Sequence, residues 1–174
     1  MKLFGIALAL LSCGASAVKA DWEYTKWGMT PGQVVSAAKN PTRKSSDLHP
    51  DSDGNVTKLV APYRSGKFSF EAQFGFDASD RLSSVTLVLN DKFAGMDMTM
   101  GADMNMNMDQ GGCHDLLASV KTLYGPPQAG RSAHMQYIIE TWQDRKSKNT
   151  VTYTVLDGVG CYVQYSAIKA AAAH

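Results

Sequence analysis

The chain lacks most of what would announce a reaction. His49, His134 and His174 are scattered, and none stands at a diagnostic spacing from a nucleophile or a carboxylate pair. His114 follows Cys113 directly, but adjacency in sequence is not catalytic geometry. There is no phosphate-binding loop and no HExxH motif. Catalysis is therefore not expected. An excess of charge of one sign is lacking too, with 17 Lys and Arg against 16 Asp and Glu. Such a balance gives no electrostatic reason to expect nucleic acid or an anionic membrane as partner. Long apolar runs are missing. The longest, residues 3–11, falls well short of the roughly 20 residues that a membrane-spanning helix needs.

That short run nevertheless has a meaning. Lys2 precedes it, and small residues follow in two cleavage-like triplets, Ala15-Ser16-Ala17 and Val18-Lys19-Ala20. This is the grammar of an export signal, with cleavage expected after Ala20. Leu10-Leu11-Ser12-Cys13 forms only a poor lipobox, so a lipid anchor at Cys13 is the weaker reading. Without residues 1–20, Lys2 and Lys19 are lost and the net charge becomes −1. The expected compartment is periplasmic or extracellular. Cysteine usage agrees: Cys13 leaves with the signal and Cys113 and Cys161 remain as a pair. In an oxidising compartment a disulfide is expected, and metal ligation by two thiols without CxxC spacing is the rival reading. Closing a loop of about 49 residues would stabilise by roughly 4 kcal/mol in the chain-entropy picture.

The remaining residues, 21–174, can bury one core. A first helix should open at Thr30-Pro31-Gly32-Gln33: Thr30 caps, Pro31 takes the first helical position, and Gln33 completes a capping box. It should end near 39–41. Residues 41–56 read as a loop. Its Asp51-Ser52-Asp53-Gly54-Asn55 resembles the start of a calcium loop, but Pro62 stands where the bidentate glutamate belongs. Strands are expected at 57–63, 68–76 and 82–89. The clearest alternates Phe68, Phe70, Ala72, Phe74 and Phe76 with Ser69, Glu71, Gln73 and Gly75. A second helix over 114–124 carries Leu116, Leu117, Val120, Leu123 and Tyr124 on one stripe and stops at Gly125-Pro126-Pro127. Three further strands follow at 137–144, 150–156 and 160–167. This order predicts an α+β domain. Two similar halves, about 21–92 and 113–168, would each be a helix plus three strands, forming an antiparallel sheet with the helices packed on one face.

The order of elements resembles the β-lactamase-inhibitor-protein-like fold, which includes small outer-membrane assembly lipoproteins of the SmpA/OmlA type. The residues that carry the resemblance are Trp27-Gly28-Met29-Thr30-Pro31 with Val34, and the helix 116–124 closing on Tyr124-Gly125-Pro126. The same Trp-Gly-Met-Thr-Pro opening is shared by a group of uncharacterised periplasmic proteins. The resemblance implies a protein-binding scaffold in the envelope rather than a catalyst, and it transfers no interface residue. Trp142 and Tyr162 are the aromatic candidates for a partner surface, with burial in the core as the competing reading.

One segment is chemically unusual. Between the halves, in residues 93–112, Met96, Met98 and Met100 precede Gly101-Ala102-Asp103, and Met104, Met106 and Met108 follow it. Six of the chain's nine methionines thus fall within thirteen residues. If both blocks are extended, their thioethers share a face. Thioethers suit Cu(I) or Ag(I), and His114 can add a nitrogen. No cofactor is required on this reading, and Cu(I) is the metal to expect. The alternatives are an ordinary packed or inserted segment and an adaptable apolar contact surface.

Overall fold

In a computed structural model the structure describes residues 21–90, 111–134, 137–156 and 160–168. Its elements are β1 (Asp21–Trp22), β2 (Thr25–Lys26), α1 (Pro31–Ala37), β3 (Arg43–Lys44), β4 (Val56–Ser65), β5 (Phe68–Phe76), β6 (Leu82–Leu89), α2 (Gly111–Tyr124), β7 (Ala129–His134), β8 (Tyr137–Asp144), β9 (Asn149–Leu156) and β10 (Gly160–Ala167). Strands β3 to β10 form one antiparallel sheet in the order β3-β4-β5-β6-β10-β9-β8-β7, and β1 and β2 make a separate small hairpin.

This architecture corrects the expected duplicated α+β unit. The described residues are mostly one antiparallel sheet, and the two helices among them are short, 7 and 14 residues. β3 and β7 extend the sheet beyond the three-strand sets. Neither shows apolar alternation in sequence. β3 is only two residues within a polar stretch, and β7 (AGRSAH) follows two prolines. Edge strands need no buried stripe, so periodicity does not reveal them.

The opening motif is structural. Gly28 takes a left-handed φ of 85°, and its N–H donates to the Leu82 carbonyl at 2.8 Å. The Leu82 N–H returns a bond to Met29 at 2.8 Å, so the turn is stitched to the start of β6. Trp27 donates its indole N–H to Asn149 at 2.9 Å. Thr30 and Gln33 then form the expected reciprocal cap, with Pro31 at the first helical turn.

Alternation along the strands sends one set of side chains into the core. The register aligns Leu59, Phe74, Val85, Tyr165, Val151 and Trp142 in one row, and Ala61, Ala72, Leu87, Val163, Tyr153 and Glu140 in the next. Trp22 from the hairpin, Val34 from α1 and Leu116 and Val120 from α2 bury in the same core. Trp22 lies against Tyr63 and Phe74, with ring centroids 5.1 and 5.9 Å away.

Candidate functional site

The opposite face of the sheet is made of the intervening residues. One row crosses six strands as Val60, Gln73, Thr86, Gln164, Thr152 and Thr141. A neighbouring row reads Pro62, Glu71, Val88, Tyr162, Thr154 and Ile139. Val60 and Thr154 are buried, whereas Gln73, Thr86, Gln164, Thr152, Thr141, Val88, Tyr162 and Ile139 keep part of their surface accessible. The buried residues of both described helices belong to the core on the other side.

The chemistry of these two rows is nearly neutral and hydrogen-bonding, with Arg64 beyond them on β4. The one charge in these rows, Glu71, is met by Arg43 at 2.6 Å and by the Gln73 amide at 3.2 Å. Thr, Gln and Tyr supply donors and acceptors together with methyl and ring surface, a combination that suits a partly wet protein contact. The edge beside β4 is blunted: Pro62 offers no N–H there, and the Asn40 amide donates to the Pro62 carbonyl at 3.2 Å.

The sequence-derived candidates distribute as follows. Cys113 and Cys161 are bonded, with Cα atoms 5.7 Å apart, and join the first turn of α2 to β10. The Tyr153 hydroxyl donates to the Cys113 carbonyl at 2.9 Å, reinforcing that junction. Tyr162 stands in the open face. Trp142 does not: it is 1 % exposed, and its indole N–H donates to the Gly125 carbonyl at 2.8 Å. Its place in the β8 alternation points it into the core, so it is removed from the partner-surface candidates. His114 is exposed on α2. Met96, Met98, Met100, Met104, Met106 and Met108 lie outside the described residues, and among the described residues no three His, Cys, Asp or Glu side chains group as metal ligands. The Asp51 turn is closed by its own backbone, Oδ1 accepting the N–H of Asp53 and Asn55 at 2.9 Å each.

Two polar groups inside the core also matter. Glu140 is buried beneath α2, and Lys121 lies 3.0 Å from both carboxylate oxygens. Among the described residues only Oε1 has a donor placed to hydrogen-bond it, although the ammonium lies as close to Oε2. Tyr153 next to it is pushed up to about 12, by burial first and by the Glu140 charge second. Tyr63 and Tyr165 are also raised, again chiefly by burial. Tyr63 donates to Glu23 at 2.7 Å, and Tyr165 hydrogen-bonds with Tyr124. These phenols stay neutral at ordinary pH and act as structural donors.

The open face holds Tyr162, a candidate named from the sequence, beside Gln73, Thr86, Thr141, Thr152 and Gln164, which the sequence did not single out. The signal was the polar half of the strand alternations, which defines the buried face and the open face together. No helix among the described residues is long and apolar enough to cross a membrane. Compared with models of known protein families, with curated proteins and with solved structures, the chain matches none.

Proposed function

We propose that the chain is an exported, non-enzymatic binding protein that presents the open face of its sheet to a protein partner in the periplasm or cell envelope. The observation that supports this most is the neutral row from Gln73 through Thr86, Gln164 and Thr152 to Thr141. A sheet face that only meets water commonly carries charges. This one is neutral across its centre and keeps its charge to β4 and the margin, in the Glu71–Arg43 pair and in Arg64. Tyr162, beside that row, supplies a rigid aromatic of the kind that anchors interfaces. The signal-like N-terminus and the resemblance to envelope-binding scaffolds point the same way.

The test is capture from an envelope extract by immobilised protein, beside a Tyr162→Ala, Gln164→Arg variant with unchanged circular dichroism. A protein captured by the parent and lost by the variant supports the reading. Equal capture by both, or by neither, removes this face as the binding surface.

The methionine pattern of 96–108 favours a second reading, binding of Cu(I) or Ag(I). An anaerobic Cu(I) competition titration tests it. Binding tighter than roughly micromolar that is lost on changing all six methionines to leucine would support metal handling. Equal weak binding by both proteins would end it.

A further inference from the structure

We infer that the open sheet face pairs with the same face of a second copy of this chain. This rests on the reading of that face as a binding surface and names its occupant.

The sheet order is balanced about the β6–β10 seam, with β5, β4 and β3 on one side and β9, β8 and β7 on the other. Consider two copies face to face, related by a two-fold axis parallel to the strands and lying over that seam. Each strand then lies opposite its counterpart across the seam, and each cross-strand row lies over itself reversed. Thr86 meets Gln164 of the second copy, Gln73 meets Thr152 and Val88 meets Tyr162, while Glu71 lies over Thr154, which is itself buried. Amide meets hydroxyl and apolar meets ring. No charge in these rows meets a like charge, because Glu71 falls opposite a threonine and remains paired with Arg43. A two-fold contact brings one patch against itself, so a patch with a strong field of one sign would repel its twin. This patch is free of that obstacle.

The area is that of a weak contact. Four central strands at ~4.8 Å spacing and three alternate positions at ~6.7 Å give roughly 390 Å² of planar face per copy, about 800 Å² in total, below the range of stable interfaces. Twisted sheets cross at about 30°, so the register holds over the four central strands and is lost towards the edges. The expected association is therefore reversible and falls apart on dilution.

Sedimentation velocity across a concentration series tests it, using protein with residues 1–20 removed and the disulfide formed. Thr152→Arg places a guanidinium inside the contact and should leave monomer only. Residues 73 and 152 are three strands apart within one chain, roughly 14 Å, but opposed between copies. Adding Gln73→Glu to Thr152→Arg should therefore restore the dimer, which a merely structural role for either residue would not do. Thr122→Arg, on exposed α2, should dimerise like the parent. If Thr152→Arg unfolds the chain, Thr86→Lys is read in the same way. A parent that stays monomeric at the highest concentration overturns the inference. So does a dimer indifferent to these substitutions. A monomeric parent whose capture of an envelope protein is lost in Thr152→Arg overturns self-association alone and leaves the binding face standing.

Discussion

A side chain at Gly75 would meet one obstacle, its other neighbours lying at ordinary contact distance. A Cβ there would lie 2.2 Å from the Ser84 hydroxyl of the paired strand, at a point where the β5–β6 register shifts. Gly75→Ala should therefore destabilise by about 1–3 kcal/mol, the usual range for overpacking. Ser84→Ala added to it should return part of that loss, a coupling that urea denaturation of the two single variants and the double variant measures. The buried phenols act at the same scale but on pH. Their folded pKa values lie above the ordinary value of 10.0, so the native state holds protons that the unfolded chain gives up. Their contribution is fully present below pH 10 and is lost as pH rises from there towards 12 and beyond. The urea midpoint should fall over that window. Tyr153→Phe should be less stable at neutral pH by about 1 kcal/mol, through loss of the bond to Cys113, and should show a shallower alkaline decline.

At the scale of elements, α2 is tied to the sheet by unlike attachments. These are the disulfide to β10, the Lys121–Glu140 pair, the Lys67–Asp115 pair to the β4–β5 turn, and the apolar contacts of Leu116 and Val120. Removing the covalent tie with Cys113→Ser and Cys161→Ser should cost about 2–5 kcal/mol. Amide exchange in α2 should accelerate more than in β5 and β6, since local opening begins where the fewest ties remain. An equal rise across all three elements would show that the bond stabilises the fold without holding the helix in particular. This scale also shows what was legible. The capped start of α1, the alternation of β5 and the Gly125 stop of α2, with its left-handed φ of 78°, were written locally and could be read. β3, β7 and the β1–β2 hairpin were not. Their pairing is set by what lies beside them, and two-residue strands carry no period. The open face was legible only in part. Polar alternation marks which side chains point away from the core, but the row joining Gln73 to Thr141 exists only once the register is known.

The whole molecule turns on one seam. β6 belongs to the first set of strands and β10 closes the second, and their pairing joins the two sets into one sheet. A chain ending before Gly160 would keep β3–β6 and β7–β9 but lose both the seam and Cys161. Such a truncation should show no cooperative urea transition, because it leaves two small sheets with bare edges instead of one sheet with its core. A cooperative transition in that variant would show that one set folds by itself.

The seam also imposes an order in time. A chain is made from its N-terminus, so β6 exists long before the strand that will lie beside it. Until β10 emerges, the future middle of the sheet is an outer edge, open to any extended segment nearby. Arrival of β10 and protection of β6 are then a single event, and the oxidation of Cys161, which β10 carries, can only follow it. A fold arranged this way is vulnerable while β10 is absent, and any shielding of β6 would be needed only until that strand arrives.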